Sequence, residues 1–312
     1  MKRLFVALAA LVMGSALASA QDYNAAVEVY NAAIQAAQAD NKAEALAKFK
    51  EALPLFEACQ EAEAADMIAK CKEYIPSTIL SIAKEQINAG SYDEALATLK
   101  EASESAAAYE NADIAGEVKE LVPNVWSRKG VTLLKEKNFP EAAKALAEVV
   151  ALNPEDGQTY LMLGQARLQS GQLDEGVAAL EKAAEFGKAE QANKMLSNTF
   201  LKQGSSLLKA GKAAEAIEAL EKSNSYVENA NAYKLIASAN IKSGKSAKAI
   251  EAYKKYLEIA PSAKDASDIL FTIAATAQKS GDKATAIEYY SKLASDAKYS
   301  AQAAQQLAVL KK

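Results

Sequence analysis

Residues 123–156 read PNVWSRKGVTLLKEKNFPEAAKALAEVVALNPED. Bulky and small apolar residues recur here at three- and four-residue spacings, the period of a helix with one buried face. A polar break at Lys137-Asn138 divides the stretch into two such runs, and Pro154 ends the second. Two amphipathic helices joined by a tight turn are therefore expected, with Trp126, Gly130, Ala142 and Leu146 facing inward. Residues 157–190 follow without a gap and repeat the layout, with Tyr160, Gly164, Gly176 and Leu180 in the corresponding places.

The pattern extends outward in both directions. A turn residue recurs at Asp40, Gly90, Lys137, Gly171, Gly211, Gly244 and Gly281. Five residues beyond each turn stands Ala or Gly: Ala45, Ala95, Ala142, Gly176, Ala216, Ala249, Ala286. Nine residues beyond stands a large side chain: Phe49, Leu99, Leu146, Leu180, Leu220, Tyr253, Tyr290. Seven residues before stands another small one: Ala33, Ala83, Gly130, Gly164, Gly204, Ala237, Ala274. Small residues on two helices permit close approach, and the large residue fills the space beside them. Repetition at this period marks stacked helical hairpins.

The joint pattern resembles the tetratricopeptide repeat, a 34-residue helix-turn-helix unit. Trp126, Gly130, Phe139, Ala142, Leu146 and Pro154 fall at positions 4, 8, 17, 20, 24 and 32 of such a unit. Lys129 and Gln203 depart from it at a usually apolar position 7. The resemblance implies an all-α fold, a right-handed superhelical solenoid of stacked antiparallel helix pairs. The first two turn-to-turn spacings, 50 and 47 residues, exceed one unit. The stretch beginning ADMIAKCKEYIP at Ala65 recurs as ADIAGEVKELVP at Ala112, so the first helices of the second and third units are expected to be lengthened. Asp66 and Asp113 suit their N-caps, and Pro76 and Pro123 would kink or break them. Residues 21–122 are thus read as irregular units, 123–300 as the regular array and 301–312 as a capping helix.

Composition limits the chemistry. There is no His among 312 residues, which removes an obligatory member of Ser-His-Asp and Cys-His sites and of helical zinc motifs. Lys2 and Arg3, the apolar run Leu4 to Leu17 and Ala18-Ser19-Ala20 form the charge, core and small-residue order of an export signal, residues 1–20. An exported, periplasmic chain beginning at Gln21 is expected, and no later stretch is apolar enough to span a membrane.

Export permits a disulfide between Cys59 and Cys71, the only cysteines. Buried free thiols are the other reading, because both align with ordinary packing positions in the duplication. Trp126, the only Trp, is expected in the core. Residues 21–122 carry 19 acidic and 8 basic side chains, whereas 123–312 carry 21 and 26. Opposed charge on the two halves would orient partners or allow head-to-tail association, and ordinary solvated helix faces are the other reading.

The resemblance further implies that the first helix of each unit lines a concave face. Its ligand positions would be Asn124, Gln158, Asn198 and Asn231 at position 2, Leu161, Leu201, Lys234 and Phe271 at position 5, and Lys135, Lys209, Lys242 and Lys279 at position 13. Amides pair with peptide backbone, apolar groups supply buried area and Lys attracts carboxylates, so this surface suits an extended acidic or amphipathic peptide. The resulting expectation is a non-enzymatic protein-binding scaffold of the bacterial cell envelope, without cofactor, metal or nucleic acid. A self-associating or adaptor subunit of an envelope or secretion complex is the alternative. A carboxylate-based cell-wall glycosidase is a remote third, since no acidic pair stands out from the 40 acidic residues.

Overall fold

The computed structural model describes residues 22–312. The export-signal reading therefore lies outside the described residues. Within them the chain is an all-α helical repeat with no strand. After α1, helical over 22–38, come α2 (Lys42–Ala58), α3 (Ala64–Ala89), α4 (Tyr92–Ala108), α5 (Ala112–Lys135), α6 (Phe139–Leu152) and α7 (Gly157–Gln169). Next are α8 (Leu173–Ala183), α9 (Ala189–Lys209), α10 (Ala213–Tyr226), α11 (Ala230–Lys242), α12 (Ser246–Ile259), α13 (Ala266–Lys279), α14 (Lys283–Lys292) and α15 (Ser300–Leu310). Between α8 and α9 the backbone kinks at Phe186 and Gly187. Two compact units are formed, one ending at Gly171 and the other beginning at Gln172. Position 122/123, read from the sequence as the start of the regular array, lies within α5.

Every expected turn residue has a left-handed backbone. The φ angles are +60° at Asp40, +80° at Gly90, +61° at Lys137, +83° at Gly171, +79° at Gly211, +69° at Gly244 and +82° at Gly281. At six of them the following amide donates to a carbonyl five residues back, as from Ser91 to Gln86 (2.9 Å), Asn138 to Leu133 (2.9 Å) and Lys245 to Asn240 (2.8 Å). This bond satisfies a carbonyl that the helix end would leave unpaired and redirects the chain antiparallel. Glu110, at φ +55°, is a further left-handed residue, placed between α4 and α5.

Small and large positions then meet across the hairpins. A Cβ added to Gly130 would lie 2.8 Å from Leu146 Cγ, and one added to Gly204 would lie 2.5 Å from Leu220 Cγ and 3.1 Å from the Ala216 carbonyl oxygen. Leu146 and Leu220 are fully buried. The Ala at the corresponding places of other hairpins, including Ala33, Ala45, Ala83, Ala95, Ala237 and Ala249, also exclude solvent entirely.

The first unit adds an aromatic core. Tyr30, Phe49, Phe56 and Tyr74 from α1, α2 and α3 pack with ring centroids 5.3–6.5 Å apart. Burial pushes the Tyr30 phenol up to about 12. The lengthened helices α3 and α5 are present and continuous through Pro76 and Pro123. Their N-caps differ from those expected. Glu63 and Asn111 precede the helices, the Asn111 side chain accepts from the Ile114 amide (3.1 Å), and Asp66 and Asp113 lie in the first turns, where carboxylates complement the helix dipole. In the second unit Ile236, Ile250, Tyr253, Ile273 and Tyr290 form the core of α10–α14, and α15 packs on α14 with Ala303 buried.

Two stability measurements check this account. Gly204→Ala gains roughly 1 kcal/mol of helix propensity but overpacks the α9–α10 contact, so urea unfolding should show a net loss of about 1–3 kcal/mol. A stabilised protein would contradict the close approach. Lys137→Gly relieves a left-handed non-glycine residue and should stabilise by about 0.5–1 kcal/mol after the entropy that Gly adds to the unfolded chain.

Candidate functional site

The residues expected on a ligand face divide into those free to bind and those already engaged. In the first unit, Gln158 is exposed in the first turn of α7. Leu161 is a correction: it is only 7 % exposed and belongs to the packed interior. Asn124 is exposed, but its amide donates to the Glu120 carbonyl at 2.9 Å.

In the second unit, α9, α11 and α13 are the first helices of their pairs. Asn198 is exposed midway along α9 and Asn231 in the first turn of α11, and Lys209, Lys242 and Lys279 are exposed in the last turns of α9, α11 and α13. The eleven residues from Asn198 to Lys209, and again from Asn231 to Lys242, are close to three helical turns, so amide and ammonium share a face roughly 16 Å apart. No ion pair engages these three lysines among the described residues. Lys also complements the negative end of a helix dipole, which gives the positions a structural role of their own.

Position 5 is more heavily used by the fold. Leu201 is half-buried against the core of α10–α14. Lys234 pairs with Asp265 and lies 5.7 Å from the Tyr256 ring centroid. Phe271 stacks on Tyr299 at 4.5 Å and meets Tyr290 edge-on at 5.7 Å. Lys234 and Phe271 therefore serve internal contacts, and the open part of the face is its two rims.

A cleft in this unit lies elsewhere. About 710 Å³ opens between the second helices α10 and α12, over α11, with Ile217, Tyr233 and Ile236 in its bed. Glu218 and Glu221 line the α10 side, and Lys245, Lys248 and Lys255 line the α12 side. Asn240 is 2 % exposed; its Nδ2 donates to the Ile236 carbonyl at 3.0 Å while its Oδ1 has no partner. A second cleft of about 550 Å³ lies between α4 and the end of α6, over α5, and Trp126 lines it. Trp126 is half-buried rather than enclosed in the core, with Lys129 Nζ 5.2 Å from its ring centroid. Trp126, at position 4, reads from the sequence as packing, and Tyr233 stands at the corresponding place of its own unit. The available signal was thirteen residues past the turns, where Ser103 and Asn224 stand in place of apolar Leu53, Val150 and Leu257.

Both cysteines are free thiols in this structure. Cys59 follows α2 and its Sγ donates to the Leu55 carbonyl at 3.2 Å, while Cys71 is buried in α3 and burial pushes its thiol up to about 11. Such a thiol is a poor nucleophile at neutral pH. Among the described residues no three His, Cys, Asp or Glu side chains group to hold a metal, and no helix is long and apolar enough to cross a membrane.

The far end of the second unit is held by carboxylates. Asp265 accepts from Lys234 and from the Tyr256 hydroxyl, and both bonds hold its carboxyl below the usual range. Asp268 accepts from Lys298 (2.7 Å) and the Tyr299 hydroxyl (3.0 Å), and Asp296 accepts from the Ser267 hydroxyl (2.5 Å); both are lowered as well. Carboxylates lowered on folding contribute stability that is complete above their unfolded value of about 3.9 and fades as the pH falls through the lowered values. Acid unfolding should therefore steepen below about pH 4, and Asp265→Asn should lower the melting temperature at pH 7 more than at pH 3. Equal losses at both would deny the ionic contribution.

Three tetratricopeptide-repeat family models match, over residues 133–198, 201–264 and 8–40, and together take in more than half of the chain. The last begins inside the segment read as an export signal. No curated protein matches the sequence. Among solved structures the chain is similar to a MamA protein (21% identity, 58% of this chain and 94% of that chain, TM-score 0.34). It is similar also to Pseudomonas aeruginosa pilF (16%, 62% and 93%, TM-score 0.28) and to the C-terminal part of a TPR repeat-containing protein from Cytophaga hutchinsonii (16%, 74% and 87%, TM-score 0.35). The left-handed turns, the small-against-large contacts and the matched models agree: the chain belongs to the tetratricopeptide-repeat family, whose repeats are in general non-enzymatic scaffolds for protein interaction.

Proposed function

We propose that this protein is an exported scaffold of the bacterial cell envelope that holds a protein partner on the first-helix face of its second unit. The observation that carries the reading is the row of exposed, unpaired Lys209, Lys242 and Lys279, set about 16 Å from the exposed amides of Asn198 and Asn231. An extended peptide would take backbone hydrogen bonds from the amides and place carboxylates along the lysine row. Leu201 lies between these rims and supplies apolar area. Export rests on Lys2, Arg3, the apolar run to Leu17 and Ala18-Ser19-Ala20.

Two experiments test the parts separately. N-terminal sequencing of protein recovered from cell envelopes should begin at Gln21, and retention of residues 1–20 in that material would refute processing. Capture of envelope partners by the full chain should weaken about tenfold or more in a variant carrying Lys209→Glu, Lys242→Glu and Lys279→Glu, and should weaken with salt. Capture of the same set at the same strength would refute the face.

A further inference from the structure

The cleft between α4 and α6 has a chemistry unlike that of the half of the chain around it. Its bed is apolar, made by Leu96, Val118, Val122 and Trp126, and Leu152, 53 % exposed, stands at its edge. Residues 21–122 are strongly acidic, with 19 carboxylates against 8 cations, yet the cleft is lined by Lys100 and Lys119 and by no carboxylate. Lys119 is exposed without an ion pair among the described residues, and Lys100 has only Glu104, at 3.9 Å.

The opening has a local cause. Ser103 on α4 occupies the place that Leu53 holds on α2, where Leu53 is buried. The smaller side chain leaves the outer side of α5 uncovered, and the resulting volume of about 550 Å³ is of the size that accepts a few side chains. An exposed Leu beside a half-buried Trp, with cations at the margin, has the make-up of an interface anchor site.

From this charge and shape we infer that the α4–α6 cleft is a second docking site, which takes an acidic amphipathic segment of a partner protein, seating a bulky apolar side chain against Trp126 and Leu152 and carboxylates at Lys100 and Lys119. The inference rests on the chain's role as a protein-binding scaffold but not on the lysine row of the second unit. A recessed cleft between helices suits side chains better than the broad exposed apolar face that lies on a lipid surface.

Trp126 is the only Trp in the chain, so its emission reports this cleft directly. The probes are a short Trp-free helical peptide with leucines on one face and glutamates on the other, and its twin with lysine for every glutamate. With the full chain the glutamate peptide should shift Trp126 emission to shorter wavelength in a saturable manner, and the lysine twin should bind at least about tenfold more weakly. Ser103→Leu, which fills the cleft as Leu53 fills its counterpart, should weaken the glutamate peptide about tenfold or more. Lys119→Glu, a surface change without packing consequences, should narrow the difference between the two peptides. The Lys209, Lys242 and Lys279 reversals should leave this binding intact, which separates it from the proposed face of the second unit. Equal binding of both peptides, undiminished binding by folded Ser103→Leu, no binding by either peptide, or a shift seen only with phosphatidylglycerol vesicles would each overturn the inference.

Discussion

The fold depends on one steric agreement inside each hairpin. A small residue on the first helix and a large one sixteen positions later must oppose each other, with a left-handed residue between them to reverse the chain. At Gly204 the Leu220 side chain occupies the space that a Cβ would need, which brings the two backbones closer than any larger residue at position 8 would permit. Close approach lets a core rich in Ala and Leu exclude solvent without many aromatic rings. The same agreement, repeated, explains a composition that is half apolar but only 7% aromatic.

Around that agreement the hairpins differ in how their surfaces are finished. The first unit buries tyrosine and phenylalanine rings and lengthens α3 and α5, and surface ion pairs such as Lys50–Glu101 (2.6 Å) and Lys84–Glu117 (2.6 Å) join helices of successive hairpins. Exposed pairs of this kind contribute about 0–1 kcal/mol each, so they tune register more than they hold the fold. The second unit instead ties its last loops with hydrogen-bonded aspartates. Changes at single places, such as Ser103 and Asn224, open clefts between second helices without disturbing the hairpins that carry them.

The turns were the most legible feature, because a left-handed residue, a reversed helix direction and fixed offsets to small and large side chains all follow from one local geometry. Asp40 and Lys137 were found by the offsets alone, since neither is glycine. Glu110 was missed because nothing in its side chain favours the left-handed region and its connection has no repeated offset. Asp66 and Asp113 suit caps by residue type, but an N-cap depends on where the chain enters the helix, and at α5 it is the Asn111 side chain that accepts from the Ile114 amide. The candidate site was less legible. Lys234 and Phe271 stand at positions expected from the sequence to face a ligand, yet Asp265 and Tyr299 from later segments occupy them.

By itself the sequence determined the repeat, the turn positions and the opposed small and large residues, because each of these is set within some thirty residues by helix period and backbone sterics. Tertiary structure alone decided which side chains remain open. Exposure is settled by what neighbouring helices bring: packing closes Leu161, an aspartate beyond the next helix claims Lys234, and the small Ser103 on α4 leaves Trp126 at the edge of a cleft. Those partners lie at separations that no local period encodes.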